Sequence, residues 1–580
     1  MIKFFLFKKK PHQSLVRLTI ASEFDFSIKN DIPIYSLKMT NYTLIGSNVR
    51  SVNVNDLSKE NIANINLFIT NLSSMVTDPL LMLSNALSAN RYLSTLYDNV
   101  LKAWRLFEIL KNNREIVLLV DSVEELMLWK NFFLTNNICV TSNLKMFKWN
   151  FHFKLKHFAQ KMIEILKKYF LIKCNKKKDQ GFFKTIFIHW IDNKDISYEQ
   201  IINNSNYFGK MLANLAKTNK ISLLGHIPDG NEYFKDIIKL NFNFIMEYVS
   251  FLDVFLSLFK SFKLFSLANK KFLLNDCNLT IIVWNAIKKD FFNCTYLKTI
   301  LFYKAFQRIV KNFKSDSVII YPFENQPWEK ALLKACCEQQ VKFNVYAYQF
   351  FPIPENFLIH QFSEKARSFG LIPTKILTSD QLTDEAFKKQ GLDTIKFGSV
   401  RYSNLINYKI NIIEKRKVIL CCLFLDETEA IDLTKKIIEL SKFLLEYDFI
   451  INHHPYLSKE IILTVLSLIK DKKNISLSNQ SINYLLTENI LLLIYNSSSV
   501  CFEAALRGIP ILYLFSEDII NLDRFNGLGK ASTNIYDSID FIKKLKNNKD
   551  FYKNYLNQLY KTANSIIIPL DYQNMDAIVI

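Results

Sequence analysis

Two polar clusters, each placed directly after an apolar run, contain residue types that bind phosphorylated ligands. The first is the His-His-Pro triplet at 453–455, which follows the apolar run 449–452. The second is the Asn-Ser-Ser-Ser run at 496–499, which follows a predicted buried strand at 491–495. An imidazole can hold a phosphate or steer a leaving group. A helix that begins at a serine offers free N–H groups and a favourable dipole to an anion.

The second cluster leads into a helix that can carry one more polar contact. We expect Ser499 to cap this helix, and Glu503 follows one turn later on the same helix face. The Glu503 carboxylate can accept hydrogen bonds from the hydroxyl groups of a ribose. An ordinary strand–cap–helix unit without a ligand stays open for this segment. Either histidine of the first cluster can also be a purely structural hydrogen-bonding residue.

A third polar cluster follows a predicted buried strand at 318–321. A carboxylate at a strand end, beside an amide pair and before a helix, is well placed to act as a base in an α/β enzyme. Glu324 is therefore our candidate base, and Asn325, Gln326 and Glu329 are candidate substrate contacts. A helix-capping or interdomain salt-bridge role is the alternative for Glu324, and helix capping is the alternative for Glu329.

Two further residues can reach the same cleft. Gln349 lies at the tip of the next predicted strand, 345–348. Arg401 can hold a donor phosphate or carboxylate as a fork, and a hinge salt bridge is the equal alternative. Asp426 and Glu427 follow another predicted strand, and we expect them to cap the next helix rather than contact substrate.

These clusters need a scaffold that brings strand ends together, and the chain alternates strand-like and helix-like segments. Up to residue 315 we predict strands at 43–46, 65–69, 116–120, 185–190 and 221–226, helices at 94–111, 123–135 and 198–217, and a Phe-rich helical region at 232–315. Beyond it we predict strands at 318–321, 345–348, 375–380, 417–424, 449–452, 475–477, 491–495 and 511–515, and a helix at 428–447. In an open parallel sheet ligands bind outside the carboxyl ends of the strands, so the clusters are expected to face one crevice.

The length of 580 residues exceeds one ordinary domain. We predict an α/β protein of two Rossmann-like lobes, whose parallel sheets face a central cleft. The N-terminal lobe, 1–400, includes a basic, aromatic helical insertion near 145–178 and the Phe-rich region. The C-terminal lobe, 401–580, contains the histidine and serine clusters.

The composition excludes several classes of protein. Hydrophobic residues make up 49% of the chain and charged residues 22%, which is a globular composition. The nine cysteines are odd in number and show no CxxC spacing, which indicates a reduced, cytoplasmic protein without a disulfide or metal framework. No GxGxxG, Walker loop or metal-ligand cluster occurs in the sequence, so we expect neither metal nor cofactor.

The net charge of +20 is concentrated in one segment. Residues 145–178 include eleven lysines and one acidic residue, interleaved with aromatic residues. This composition fits an anionic membrane surface, and equally a solvated helix between two subdomains. No nucleic-acid-binding motif accompanies it, and no uninterrupted apolar run is long enough to span a bilayer. We therefore expect no nucleic acid partner. We expect a cytoplasmic protein, which residues 145–178 can attach to the inner face of the cytoplasmic membrane.

The two clusters in the second half carry a family resemblance. HHP at 453–455 and YNSSSVCFEAALRGIP at 495–510 resemble the nucleotide-binding half of GT-B glycosyltransferases. They are similar to bacterial sialyltransferases and Kdo transferases, which use CMP-activated acidic sugars and hold the CMP with a His-Pro motif and a Ser/Thr cluster. Asn452 stands where that family often has Lys or Arg. YPFENQPWEKAL at 321–332 and the segment 378–402 resemble bacterial surface-carbohydrate proteins, of capsule and lipopolysaccharide synthesis, with the same architecture.

The resemblance implies a function. It implies an inverting, metal-independent transfer of a sugar, from a CMP-activated acidic donor to a surface glycan or a lipid-linked glycan acceptor. Glu324 and His454 are then the catalytic residues. The nucleotide is held by His453, Pro455, Ser497, Ser498, Ser499, Glu503 and Arg401, together with His454. A CDP-glycerol or CDP-ribitol phosphotransferase, a UDP-sugar epimerase of similar fold, and a non-catalytic GT-B module that binds a glycan or acts as a scaffold remain alternatives.

Overall fold

The computed structural model describes residues 15–20, 33–37, 49–142, 151–174, 184–191, 199–239, 243–339, 342–406, 417–571 and 578, except for 89, 91, 92, 114, 121, 200, 203, 204, 206, 210, 219, 220, 228–233, 488, 518, 526 and 528. The described residues form three parallel β-sheets, with helices packed on them, and one short antiparallel hairpin. The order of the strands in the second and third sheets determines where a ligand can bind.

The first sheet has five parallel strands in the order β3-β2-β4-β1-β5. They are β1 Leu15–Ile20, β2 Ile34–Ser36, β3 Val49–Ser51, β4 Glu115–Val120 and β5 Cys139–Ser142. The helices in this part of the chain are α1 Lys59–Leu72, α2 Leu96–Asn112 and α3 Val123–Thr135. The predicted strand at 116–120 and the predicted helices at 94–111 and 123–135 are confirmed.

The strand predicted at 65–69 is wrong, because these residues lie inside α1. Ile65, Phe68, Ile69 and Leu72 are buried at the three- and four-residue spacing of a helix. A short apolar run cannot by itself distinguish a strand from a buried helix segment. The strand predicted at 43–46 lies outside the described residues.

The second sheet has seven parallel strands in the order β14-β13-β12-β11-β6-β7-β8, and β9 and β10 form the separate hairpin. The strands are β6 Thr185–Trp190, β7 Ile221–His226, β8 Asn243–Phe244, β9 Leu273–Leu274, β10 Cys277–Asn278, β11 Val318–Pro322, β12 Asn344–Gln349, β13 Lys375–Thr378 and β14 Thr394–Lys396. Chain order runs outward in one direction from β6 and in the other from β11. The sheet is therefore doubly wound, and its switch point lies between β6 and β11.

The helices of this half largely follow the predictions. They are α4 Phe151–Cys174, α5 Met211–Thr218, α6 Phe234–Ile237, α7 Phe251–Ser261, α8 Thr280–Phe292, α9 Thr295–Ile309, α10 Pro327–Cys337, α11 Glu364–Ser368 and α12 Gln381–Lys389. The Phe-rich region at 232–315 is mainly helical, as predicted, but it also contains β8 and the hairpin. The single helix predicted at 198–217 is wrong. A bridge between Ser205 and Gly209, whose φ is +49°, interrupts it before α5.

The third sheet has six parallel strands in the order β17-β16-β15-β18-β19-β20, which is the Rossmann order 3-2-1-4-5-6. The strands are β15 Val418–Cys422, β16 Asp448–Asn452, β17 Ile475–Ser478, β18 Ile490–Tyr495, β19 Ile511–Leu514 and β20 Lys530–Ser532. The helices are α13 Glu427–Phe443, α14 Lys459–Ile469, α15 Ile482–Leu485, α16 Val500–Leu506, α17 Ile535–Asn547 and α18 Lys549–Ile566. All the strands predicted in this part of the chain are confirmed.

Sequence pattern explains the third sheet. The strand Ile490–Tyr495 is buried at every position, as expected for the centre of a parallel sheet covered on both faces. The switch point of the third sheet lies between β15 and β18.

Asp426 caps α13 by accepting the N–H of Glu429, which confirms the capping expectation for Asp426.

The chain returns to the second sheet after α18. Ile567 pairs with Asp380, and the carbonyl of Ile568 accepts the N–H of Ser399 at 2.9 Å. This crossing ties the third-sheet lobe to the second. The α/β fold class, with two parallel-sheet Rossmann-like lobes facing a cleft, is confirmed. The two lobes contain the second and third sheets, and the first sheet is an addition at the N-terminal end of the chain.

Candidate interlobe site

The predicted catalytic and nucleotide residues lie at the switch points of two different sheets. Glu324 follows β11, beside the switch point of the second sheet, and Ser497 follows β18, beside the switch point of the third. Arg524, in the loop after β19, connects the edges of the two sheets. Its Nε donates to the carbonyl of Ser497 at 2.7 Å and its Nη1 donates to the carbonyl of Pro352 at 2.8 Å. The two carboxyl edges therefore face each other across one cleft.

Glu324 is half-buried and held by a chain of two hydrogen bonds. The indole N–H of Trp328 donates to Gln326 Oε1 at 3.0 Å. Because an indole can only donate, this bond fixes the Gln326 amide with its NH₂ toward Glu324. Gln326 Nε2 then donates to Glu324 Oε2 at 2.6 Å. The side chain of Gln326, predicted to contact substrate, thus orients the candidate base.

The surroundings of Glu324 tune its protonation. Burial raises the pKa of Glu324 to about 7, although the hydrogen bond from Gln326 and the charge of Arg524 act in the opposite direction. A general base works best when its pKa lies near the operating pH. The carboxyl of Glu324 therefore has the protonation behaviour that the base role requires.

Glu329 and Asn325 shape the loop that carries Glu324. Glu329 is buried, and its Oε1 accepts the backbone N–H of Glu324 at 2.9 Å. Burial holds the pKa of Glu329 well above its usual range, although the hydrogen bond from the Glu324 N–H acts in the opposite direction. Asn325 has a φ of +54°, and its amide donates to the carbonyl of Ile359 at 3.0 Å. Both side chains support the turn in which Glu324 stands.

Gln349 lies in a fully buried network rather than in open space. Its Oε1 accepts the N–H of Ser379 at 2.9 Å, and its Nε2 donates to Asp380 Oδ2 at 2.9 Å and to the carbonyl of Phe351. These bonds hold together the tips of the neighbouring strands β12 and β13.

The two histidines leave the third sheet at the level of the serine cluster. Cys422 in β15 is in register with Asn452 in β16 on one side and with Tyr495 in β18 on the other. The His453 and Ser497 loops therefore start about 10 Å apart, because neighbouring strands are about 4.8 Å apart. The third residue of the motif, Pro455, is exposed.

His454 presents one N–H group. Its Nδ1 accepts the backbone N–H of Tyr456 at 3.2 Å, so in the neutral ring the proton is on Nε2. Burial, together with the charges of Arg401 and His453, lowers the pKa of His454 to about 4. At neutral pH His454 is therefore a neutral donor. His453 contacts the carbonyl of His454 and Asn479 Oδ1 through its two ring nitrogens.

The three serines of the cluster make different contacts. Ser497 has a φ of +37°, and its hydroxyl donates to Glu429 Oε2 at 3.0 Å. Ser498 accepts the N–H of Val500 at 3.4 Å. Ser499 occupies the N-cap position of α16, but its side chain makes no capping bond, contrary to the expectation. Its hydroxyl accepts instead from Arg401 Nη1 at 2.9 Å.

The half-buried Arg401 and the buried Glu503 form an ion pair beside Ser499. Arg401 Nε donates to Glu503 Oε1 at 2.5 Å. The other carboxylate oxygen, Glu503 Oε2, is buried and has no hydrogen-bond partner among the described residues. The same holds for Oδ1 of Asn496, whose amide NH₂ donates to the carbonyl of Glu429 at 3.1 Å. Both atoms lie on the segment that follows β18, and both have acceptor capacity that a bound ligand could use.

Sequence reasoning missed Arg524 and Asp523. Asp523 Oδ1 accepts the hydroxyl of Tyr495 at 2.8 Å and the N–H of Phe525 at 3.0 Å, which orders the loop. Arg524 is buried, and its guanidinium also lies 4.8 Å from the centre of the Phe351 ring. A charged pair in the loop between β19 and β20 was the available signal, but its partners are far away in the sequence.

Within the described ranges, no group of three or more His, Cys, Asp or Glu side chains is placed to hold a metal ion. Over the same residues, no helix has both the length and the apolar character needed to cross a bilayer.

No protein-family model and no curated protein matches this chain. Solved structures to which it is similar include the UDP-GlcNAc 2-epimerase from Neisseria meningitidis bound to UDP-GlcNAc, MurG from Acinetobacter baumannii, and TarM. Their sequence identities are 14%, 11% and 13%, and their TM-scores are 0.41, 0.39 and 0.39. The matches cover 68%, 68% and 69% of this chain, and 98%, 99% and 98% of the three others.

The strand orders and the facing carboxyl edges define the class of protein on their own. This chain is a GT-B-like α/β protein, with two parallel-sheet lobes around a cleft.

Proposed function

We propose that this protein is a nucleotide-sugar-dependent glycosyltransferase that acts in the cleft between its second and third sheets. Glu324 takes the proton of the acceptor hydroxyl while the hydroxyl oxygen bonds to the anomeric carbon of the donor sugar. The bond from that carbon to the donor phosphate breaks, and the phosphate leaves with the electron pair. Attack opposite the leaving phosphate inverts the anomeric centre.

The observation that supports this proposal most strongly is the pair of buried acceptors without donors, Asn496 Oδ1 and Glu503 Oε2. A nucleoside supplies what they lack, since the ribose hydroxyls and the amino group of cytosine are donors. The two atoms lie on the loop and helix that follow β18, where the Rossmann order predicts a ligand. We propose that Glu503 binds the ribose, while His454, Ser498 and Ser499 lie around the phosphate.

We propose a CMP-activated acidic sugar as the donor and a surface glycan or lipid-linked glycan as the acceptor, with neither metal nor cofactor. Asn452 takes the place where a Lys or Arg would face the phosphates. Its amide is already bonded to the carbonyls of Gln480 at 3.0 Å and Ser478 at 3.4 Å. The phosphate contacts at this position therefore differ from those of the CMP-using family that the motifs resemble.

Calorimetric titration with CMP, CDP and UDP, followed by hydrolysis assays of CMP-, CDP- and UDP-linked donors, tests the proposal. Tightest binding of CMP and slow hydrolysis of a CMP-sugar are expected. Preference for a CDP-alditol would indicate phosphotransfer, and preference for UDP would indicate an epimerase or a UDP-sugar transferase. Nucleotide binding without turnover on any acceptor would favour a non-catalytic module.

Substitution His454→Ala should raise the Kd for CMP by about tenfold to a hundredfold, the usual loss for a hydrogen bond to a charged group. The reason is that the neutral ring donates from Nε2 to the phosphate. Because the pKa of His454 is about 4, its ring stays neutral between about pH 5.5 and 8. Any change of affinity in this range should come from the CMP phosphate, whose second pKa is about 6, and should be the same in both proteins. Isothermal titration of both proteins measures this.

The control is His157→Ala, which removes a histidine of α4 whose ring contacts Asn293 at 3.1 Å. It should leave the Kd unchanged. Equal affinities of the His454→Ala and wild-type proteins would remove His454 from the nucleotide site.

A further inference from the structure

Helix α7 carries its large apolar side chains on the outside of the molecule. Six of them, in α7 and the next residue, are between 44% and 70% exposed: Phe251, Leu252, Phe255, Leu256, Phe259 and Phe262. At about 100° per residue, they occupy a single arc of about 140° on the helix surface. We call these six side chains the aromatic face.

The inward side of α7 is mostly polar. Its buried residues are Asp253, Val254, Ser257 and Ser261. A surface helix of a globular protein normally buries its apolar stripe and exposes its polar residues, so the polarity of α7 is reversed.

An ion pair between the buried Asp253 and the partly exposed Arg308 holds α7 in this reversed orientation. Arg308, on α9, lies 2.5 Å from Asp253 Oδ2 through its Nη1. The same carboxylate oxygen accepts the N–H and the hydroxyl of Ser250, at 2.7 Å and 2.6 Å. The bonds to Ser250 belong to the start of α7 itself, but rotating α7 to bury the aromatic face would separate the buried Asp253 carboxylate from Arg308. The outward aromatic face is therefore built into the fold.

The apolar surface continues onto α4, and both helical segments carry an excess of lysines. Phe170 is 53% exposed, and its ring centre lies 6.3 Å from that of Phe251. Helix α4 contains six lysines and one acidic residue. Residues 250–271 contain four lysines, and their single acidic residue is Asp253, which faces inward.

We propose that the aromatic face, together with the lysines of α4 and of residues 260–271, docks this protein on an anionic lipid bilayer. Aromatic and leucine side chains partition into the boundary between headgroups and acyl chains, while the lysines attract anionic headgroups. Charge complementarity selects this partner. A second copy of the same chain would bring two positive surfaces together. The proposal uses none of the residues of the interlobe site and goes beyond the proposed transferase activity.

Co-sedimentation with vesicles of phosphatidylglycerol and phosphatidylcholine, compared with phosphatidylcholine alone, tests the docking surface. The wild-type protein should bind the anionic vesicles, and binding should weaken as salt rises. The double variant Leu252→Glu/Phe259→Glu should bind at least tenfold more weakly. The matched control Leu445→Glu changes a side chain that is 75% exposed in the third-sheet lobe, and should bind like wild type.

A gain-of-signal variant keeps the test independent of folding losses. In Leu252→Trp, the tryptophan emission should shift to the blue and be quenched by brominated lipids when anionic vesicles are added. Leu445→Trp should show neither effect. Unchanged emission of Leu252→Trp, or full vesicle binding by the double variant, would overturn the proposal. So would a dimer in light scattering that the double variant abolishes, because a second copy would then cover the face.

Discussion

Glu324→Gln should lower the rate of sugar transfer by about a hundredfold to ten-thousandfold, the range expected when a general base is lost. The glutamine keeps the size of the side chain and can still bond to Gln326, but it cannot take a proton from the acceptor hydroxyl. The affinity for CMP should change little, because Glu324 belongs to the second sheet and the nucleotide site belongs to the third. Steady-state kinetics and nucleotide titration of the same preparation separate the two effects.

The pH profile gives an independent measure of the same residue. The base acts in its ionised form, and the pKa of Glu324 is about 7. In the wild-type protein, kcat/KM should therefore be constant above about pH 8 and should fall about tenfold per pH unit below 7. Glu324→Gln should lack this acid limb. Glu439→Gln, an exposed position on α13, should keep both the rate and the limb. Full activity of Glu324→Gln would assign the base to another group.

The general architecture could be predicted from the sequence because each element carries a local signal. Strand Ile490–Tyr495 is a continuous apolar run followed by small polar residues, and its limits agree with the prediction to within one residue. The strand prediction at 65–69 was wrong because five residues rich in apolar side chains fit both the two-residue period of a strand and the 3.6-residue period of a helix. The residues that identify the helix, Leu72 and the N-cap Ser58, lie outside this run. The reversed polarity of α7 could not be predicted either, because an amphipathic sequence pattern does not show which side of the helix faces the interior.

The candidate site was predictable only in part, for a different reason. Strand-tip residues such as Glu324 and His454 can be found because the polar end of an apolar run is visible in the sequence. The internal bonds of the site are invisible at that level. Ser499 was expected to cap its helix, yet its hydroxyl accepts from Arg401, which lies 98 residues earlier in the chain. Arg524 has no motif, and its contact with Pro352 depends on how two lobes meet.

Arg524→Met should destabilise the protein by about 2–4 kcal/mol, because it leaves buried carbonyls of Ser497 and Pro352 without their donors. It should also move the acid limb of kcat/KM to higher pH. The sign follows from charge: the guanidinium favours the ionised form of Glu324, so its removal raises the pKa of that carboxyl further. Urea denaturation and the pH profile measure the two effects.

Two further variants distinguish the charge of Arg524 from its hydrogen bonds. Arg524→Lys keeps the charge but cannot reach both carbonyls as a fork, so the acid limb should return toward its wild-type position while part of the stability loss remains. Arg367→Ala removes an exposed guanidinium that donates to the carbonyl of Gln390 at 2.9 Å, and should change stability by about 0.5 kcal/mol or less. An acid limb that stays in place in Arg524→Met would mean that Arg524 ties the lobes together without acting on Glu324. In that case Arg524 would act through its hydrogen bonds alone, and the protonation of the base would depend on its burial and on the hydrogen bond from Gln326.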